Sequence, residues 1–111
     1  MAGTLIDPGA FTARLVLERP ERTADGQGGA VRDFTAAASL WARIEPVSAA
    51  RAERAGGEAM TVTHRIWLRH RADVESGMRL RKGARLFSIR GFRDPDETRR
   101  YLVCDCEEEE R

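Results

Sequence analysis

The sequence predicts an all-β protein, a small antiparallel β-barrel or sandwich with one long mobile loop at about residues 47–60. Two observations lead to this prediction. Apolar residues recur at every second position through most of the chain, which is the period of a half-buried strand. Turn-forming residues separate these stretches at short intervals, as is typical of small sandwiches and barrels. The 111 residues fit a single domain, residues 1–111, with one modest core.

The first half of the chain alternates in two stretches around a turn-rich break. In "ARLVLER" (13–19) the two leucines share a face, and Pro20 ends the alternation. "ADGQGG" (24–29) favours a turn, since Asp-Gly readily adopts positive φ. "SLWARIEP" (39–46) alternates again, with Leu, Ala and Ile opposing Trp, Arg and Glu. We therefore expect strands near residues 12–19, 31–35 and 39–46.

The second half of the chain supplies the remaining strands. "TVTHRIWLRHR" (61–71) has the longest alternation, and "GMRLRKGARLFSIRGF" (77–92) is divided by a tight Lys82-Gly83-Ala84 turn. After the turn-like "RDPDE" (93–97) comes "TRRYLVCDC" (98–106). These patterns predict strands near residues 61–71, 78–82, 85–92 and 99–106.

One segment, "VSAARAERAGGEAM" (47–60), lacks the alternation and has no aromatic or large aliphatic residue between its ends. Its alanines, arginines and glutamates favour helix, but Gly56-Gly57 would stop a helix after about two turns, which is marginal in water. We predict a mobile loop here, and a loop this long in a compact domain is often functional. Any helix should be short and confined to this loop or to the first ten residues.

Composition excludes few classes of protein. The net charge of +1 gives no general reason to expect nucleic acid or membrane as a partner. No stretch approaches the roughly 18 apolar residues that span a bilayer, and "MAGTLIDPGA" does not resemble a signal peptide. We therefore expect a soluble, cytosolic protein in which Cys104 and Cys106 are reduced.

Charge is unevenly distributed along the chain. Residues 61–100 hold eleven Arg and Lys against five Asp and Glu, whereas residues 101–111 hold five acids and one arginine. This asymmetry fits either a solvated surface or contacts with differently charged neighbours.

The histidines and cysteines do not form a recognisable metal motif. His64 and His70 share a strand face but lie about 20 Å apart along an extended chain, so they cannot share one ion. Cys-x-Cys in a strand is not the usual zinc spacing, and there is no second cysteine pair. We expect no metal, a partly buried and hydrogen-bonded His64, and cysteines that pack as small core residues.

The sequence also lacks recognisable catalytic motifs. No serine has the context of a nucleophile elbow, and "GQGG" precedes no helix that could hold a phosphate. We therefore expect neither an enzyme nor a cofactor.

Nucleic-acid binding remains an alternative at this point. Arg65, Trp67, Arg69 and Arg71 share the outer face of one strand, and arginines beside an aromatic ring can contact phosphates and stack bases. However, Trp67 is the only aromatic residue on that face of the strand. Long arginine stems that simply cover the tryptophan would produce the same pattern.

The order and spacing of the motifs resemble the phage head–tail adaptor family, also called head-closure or head–tail joining proteins. The resemblance runs nearly end to end, and the motifs that carry it are "GTL" (3–5), "ERPERTADGQGG" (18–29), "LWARIEPVSA" (40–49), "THRIWLRHR" (63–71), "GMRL" (77–80), "RLFSIRGFRDPDE" (85–97) and "RYLVCDCEE" (100–108). The chain departs from the family pattern at Phe34, where tryptophan is frequent, and at His70, where tyrosine is frequent.

The resemblance implies a β-barrel subunit that forms a ring beneath the portal of a filled capsid, a dodecamer in the particle and a monomer when free. The ring would close the head, retain packaged DNA and dock the tail. The implied partners are the portal or adaptor protein, tail proteins and packaged DNA contacted without sequence preference, with no cofactor, catalysis or membrane. The particle would be a phage, prophage or gene transfer agent assembled in the bacterial cytoplasm. The alternative function is a free-standing nucleic-acid-binding barrel.

The resemblance also assigns roles to particular residues. Four charged residues of the 47–60 loop are expected at a subunit interface or channel, namely Arg51, Glu53, Arg54 and Glu58. Three arginines are expected to face outward, toward neighbouring subunits or the DNA channel, namely Arg65, Arg69 and Arg71. By the same resemblance, Trp41 is expected to be buried.

Overall fold

The protein is all-β, as predicted. The computed structural model describes residues 8–23, 30–53 and 59–109. Its elements are a short 3-10 helix (Pro8–Ala10) and the strands β1 (Ala13–Thr23), β2 (Ala30–Glu53), β3 (Ala59–Arg69), β4 (Arg79–Lys82), β5 (Arg85–Arg93) and β6 (Tyr101–Glu108). Within the described ranges there is no α-helix, and no helix there is long and apolar enough to cross a membrane.

The six strands form one antiparallel sheet that closes on itself in the order β1-β2-β3-β6-β5-β4. Closure is made by β4, which pairs with β1 from Val16↔Arg81 to Glu18↔Arg79. The β4–β5 connection is the predicted tight turn, where Gly83 takes a φ of 59°, a conformation that glycine adopts without steric cost. The predicted small antiparallel β-barrel or sandwich is therefore confirmed, and of the two the structure is the closed form.

The core fills the inside of this closed sheet with residues from every strand. Leu15 and Leu17 of β1 and Ile66 and Leu68 of β3 are essentially inaccessible to solvent, as the alternation in those strands predicts. The other side chains of the core cluster are Ala42, Val74, Met78, Leu80, Phe87, Ile89, Leu102, Cys104 and Cys106. The two cysteines are free thiols that pack as small apolar residues, as expected.

Strand β2 is much longer than the sequence predicted. It has 24 residues and joins the two predicted strands at 31–35 and 39–46 into one. Pro46 does not end it, because the β2–β3 register shifts between Pro46 and Ala50, and a proline without an N–H group is tolerated at such an irregularity. The prediction of a loop over 47–60 is therefore wrong for residues 47–53, which belong to β2, and for 59–60, which begin β3. Residues 54–58 lie outside the described part of the chain.

Two ribbons extend from the barrel, one at each end of β2. At one end β2 pairs with β1, and at the other end it pairs with β3. Residues 30–42 pair with β1 and residues 42–53 with β3, so Ala42 pairs with both strands. We call residues 19–23 paired with 30–35 the first arm, and residues 50–53 paired with 59–62 the second arm. Since β4 reaches β1 only at residues 16–18 and β6 reaches β3 only from His64 onward, each arm is a two-stranded ribbon in the described structure.

The acidic strand β6 is matched by arginines of its neighbour β5. Arg85 pairs with Glu108 at 2.9 Å, Arg90 with Glu107 at 3.0 Å, and Arg93 with Asp105 at 2.9 Å. The uneven charge distribution of the sequence is therefore largely balanced within the subunit. Because these pairs are partly exposed, each contributes only about 0–1 kcal/mol to stability.

Candidate assembly surface

Both tryptophans lie on the outer face of the barrel, on neighbouring strands. The register aligns Trp41 of β2 with Arg14 of β1, and Trp67 of β3 with Arg43 of β2. Because Ala42 between Trp41 and Arg43 is fully buried, the side chains on either side of it point outward. The sequence pattern had assigned Trp67 as the only aromatic residue of its strand face, and the register adds Trp41 to the same surface.

Trp41 is an exposed residue, so the prediction that it is buried is wrong. Its relative exposure is 52%, and the guanidinium of Arg14 lies 4.9 Å from the centroid of its ring. Arg14 is held in turn by a hydrogen bond that its Nε donates to Ser39 Oγ at 2.8 Å. The inward position at this level of the barrel belongs to Ala42, whose small side chain packs beside Ile66 and Leu68. Arg43 and Glu45 lie on the same face of β2 as Trp41, and these charged residues were the feature of the sequence that indicated that this face is exposed.

An open cleft of about 690 Å³ lies beside Trp41. We call it the Trp41 cleft, and its lining is Phe11, Thr12, Leu40, Trp41, Arg69, His70 and Arg71. Phe11 is positioned by a tilted ring contact with buried Tyr101, with 5.6 Å between centroids. Leu40 is partly buried against the core. The cleft thus presents aromatic and aliphatic side chains on a rigid barrel wall, with basic groups around them.

Arg69 and Arg71, which line the cleft, and Arg14, which lies over the Trp41 ring, differ in their ion pairing. Arg71 makes two hydrogen bonds of 2.9 Å to the carboxylate of Asp73. These bonds raise the pKa of Arg71 and lower the pKa of Asp73, each against a smaller opposing effect of burial. Within the described ranges, by contrast, neither Arg14 nor Arg69 has a carboxylate partner. The cleft therefore combines apolar surface with one cation, Arg69, that no described acid neutralises, and Arg14 adds a second such cation next to it, over the Trp41 ring.

The rest of the outer face carries arginines that are paired with acids. Glu45 accepts a hydrogen bond from Trp67 Nε1 at 3.1 Å and lies 3.5 Å from Arg43. Asp105 lies between two arginines of neighbouring strands, 3.7 Å from Arg65 and 2.9 Å from Arg93. Carboxylates are thus interspersed among the basic groups of this face.

The residues that the resemblance singled out are in different settings. Arg65 and Arg69 are exposed in β3, whereas Arg71 follows the end of that strand and is half-buried beside Asp73. Arg51 and Glu53 lie in β2, opposite Thr61 and Ala59, and nothing is described of their side chains. Arg54 and Glu58 lie outside the described residues.

His64 is partly buried at the edge of the core, as expected. Its side chain is 12% exposed, its Nδ1 is 2.9 Å from Thr63 Oγ1, and its ring meets Phe87 edge-on. Burial lowers the pKa of His64, and the charge of nearby Glu108 offsets part of that shift. The described residues contain no group of three or more histidines, cysteines or acids that could hold a metal ion.

The fold and this surface define a small β-barrel whose most distinctive features, two ribbon arms and an exposed aromatic cleft, suit contacts with other macromolecules. Over residues 6–109 the sequence matches the phage head completion proteins, and the chain belongs to that family. It is accordingly a structural protein of the phage head–tail region and a virion component. The resemblance to head-closure proteins inferred from the sequence motifs is thereby confirmed.

The solved structures that are similar to this chain include the following two. One is a chain of the virion of a native gene transfer agent particle, 34% identical, covering 86% of this chain and 91% of that one, with a TM-score of 0.62. The other is the solution structure of a protein from Shigella flexneri 2a, 25% identical, covering 93% and 96% respectively, with a TM-score of 0.66. No curated protein matched this chain.

Proposed function

We propose that the protein is a ring-forming head-closure subunit that retains packaged DNA and gives the tail a docking surface. Its partners would be copies of itself in a dodecameric ring, a portal or adaptor protein on one side, and tail proteins on the other. The free subunit would be a monomer, and assembly would take place in the bacterial cytoplasm. Membership of the head completion family and the likeness to a chain of a gene transfer agent virion support this proposal.

The structural observation behind the proposal is the pair of ribbon arms. An isolated two-stranded ribbon is marginally stable in water, and its unpaired edges are templates for another strand. In the first arm β2 pairs with β1, and in the second with β3, which leaves the other edge of β2 open in the described structure. A head-to-tail contact that closes into a ring would bring each arm against a neighbouring subunit and pair these edges.

The charged residues of the second arm have a place in this arrangement. Arg51 and Glu53 of β2, together with Arg54 and Glu58 beyond it, would meet the same residues of adjacent subunits around the ring or the channel. The arginines of one subunit would then pair with the glutamates of the next. The exposed Arg65 would face a neighbouring subunit or the DNA.

Hydrogen exchange tests the role of the arms. Backbone amides of residues 19–23, 30–35, 50–53 and 59–62 should exchange fast in the free subunit and slowly in the assembled particle. Residues 66–68 of β3, which pair on both sides within the barrel, should be protected in both states and serve as the internal control. Equal exchange of the arms in the two states would show that they take no part in assembly.

Removal of the gene tests the function itself. Particles assembled without the protein should accumulate as heads that lose their DNA and carry no tail. Heads that stay filled and acquire tails in its absence would contradict the proposed closure and docking.

One observation favours a nucleic-acid-binding barrel as a second candidate. Trp41 and Trp67 lie on one outer face with several arginines, as in barrels that bind single strands. Binding to a single-stranded oligonucleotide, accompanied by quenching of tryptophan fluorescence, would support this candidate. Absence of quenching would exclude base stacking on these two rings.

A further inference from the structure

We propose that the Trp41 cleft binds an extended acidic segment of another virion protein, which places an apolar side chain against Trp41 and Leu40 and a carboxylate at Arg69. The inference rests on the proposed function in taking the partner from the virion. It goes further by naming the surface of contact and the chemistry of the segment.

The apolar part of the cleft suits a side-chain anchor. Trp41 is half exposed, and it is oriented by Arg14, which is itself tied to Ser39. Across the cleft, Phe11 is fixed by its contact with Tyr101. Ordered aromatic side chains lose little conformational entropy on binding, which is one reason why tryptophan often dominates the energy of protein interfaces. A cleft of about 690 Å³ can take one or two large side chains together with their backbone.

The charge of the cleft selects an acidic partner. Arg14 and Arg69 have no carboxylate partner within the described ranges, whereas Arg71 is already bound to Asp73. A carboxylate that approached Arg69 would therefore gain a charge-assisted hydrogen bond without displacing an existing one. A basic segment would be repelled by Arg69 in the cleft and by Arg14 beside Trp41.

A second copy of the chain is a poorer occupant. Its described acidic cluster at the end of β6 is already engaged: Glu107 pairs with Arg90, Glu108 pairs with Arg85, and Glu109 accepts a hydrogen bond from Ser88 at 2.7 Å. These contacts would have to be broken before the cluster could enter a neighbour's cleft. The segment is therefore assigned to a different protein.

Duplex DNA also fits this surface less well. A phosphate backbone carries one charge per about 1.7 Å of helix axis and needs an extended basic track. Beyond the cleft the outer face places Glu45 and Asp105 among its arginines, and these acids would repel phosphates. Arg69 in the cleft, together with Arg14 beside Trp41, suits a short acidic segment better.

Photo-crosslinking at position 41 identifies the occupant directly. The probe is p-benzoylphenylalanine in place of Trp41, irradiated in assembled particles, with the crosslinked peptide sequenced by mass spectrometry. We expect a peptide from another virion protein with at least two acidic residues near the point of attachment. A crosslink to a second copy of this chain, to DNA or to nothing would overturn the inference.

Charge reversal tests the role of Arg69 against a matched control. Arg69→Glu should lower incorporation into particles about tenfold or more, whereas Arg69→Lys retains most of it. Lys82→Glu makes the same charge reversal at an exposed residue of the β4–β5 turn, outside the cleft, and should be incorporated normally. Equal losses for both glutamate variants would indicate a general basic surface, contrary to the inference. If the unaltered protein itself is absent from particles, it is the proposed function that fails.

Discussion

Glu18 accepts a hydrogen bond from Arg79 Nε at 2.6 Å, across the β1–β4 junction that closes the barrel. Its second oxygen accepts one from Arg81 Nε at 2.8 Å, and the Arg79 guanidinium also lies 3.8 Å from the ring centroid of Phe34. The register of β1 against β2 shifts between Leu17 and Glu18. This cluster therefore ties β1, β2 and β4 together where the first arm leaves the barrel.

Glu18→Gln should destabilise the protein by about 2–3 kcal/mol. The Glu18 side chain is 8% exposed, and the change removes a charge that two arginines share, leaving charged donors without their counterion. Chemical denaturation of both proteins measures the difference. Glu107→Gln, in a pair that is more than a third exposed on both sides, is the control and should cost about 0–1 kcal/mol.

Stability should fall below about pH 4.5, and Glu18 should contribute to that fall. Burial raises the pKa of Glu18, but the hydrogen bonds from Arg81 and Arg79 outweigh it and hold the pKa below its ordinary value of 4.5. Its contribution is therefore complete above the unfolded-state pKa and is lost as the pH falls through the lower folded-state pKa. Thermal unfolding from about pH 3 to pH 6 should show a flatter profile for Glu18→Gln than for the unaltered protein. Parallel profiles would contradict this role.

Trp41→Ala should leave the melting temperature nearly unchanged. The side chain is half exposed on the outer face, so its removal opens no cavity in the core. Leu17→Ala is the buried comparison and should cost about 2–5 kcal/mol. A large loss of stability for Trp41→Ala, measured by calorimetry on the free subunit, would contradict this expectation and show that the indole side chain of Trp41 is needed for folding.

The cysteines should be inert in the folded protein. Burial raises the pKa of Cys104 to about 12 and raises the pKa of Cys106 as well, so almost no thiolate is present near neutral pH. A chromogenic disulfide reagent at about pH 8 should modify neither thiol until denaturant is added. Rapid modification of the native protein would mean that the β5–β6 side of the barrel opens readily.

Affinity of the free subunit for duplex DNA should be weak, independent of sequence and lost with added salt. If the protein lines a channel as proposed, its contacts with DNA would be to phosphates, and the strength of such contacts falls steeply as counterions compete. Fluorescence anisotropy with two duplexes of equal composition and different sequence, at about 50 and 200 mM salt, measures both properties. Tight binding to one of the two would favour the alternative function as a nucleic-acid-binding barrel.

The fold class and much of the core follow from the sequence alone. The two-residue period in β1 and β3 places Leu15, Leu17, Ile66 and Leu68 on one face, and that face is buried. The tight turn at Gly83 follows from local backbone preferences. These features depend on neighbours in the chain, and the order of the motifs along it was enough to indicate the family.

Three features required the folded structure: which face of residues 39–46 points inward, how far β2 extends, and which charged residues pair. Alternation divides a strand into two faces, but the volume left inside the closed barrel decides between Ala42 and Trp41. Strand β2 continues past Pro46 because β3 pairs with it there, which no local pattern shows. The Trp41 cleft joins Phe11 to Arg69 from segments far apart in sequence, since Ala42 of β2 pairs with both Ala13 of β1 and Leu68 of β3.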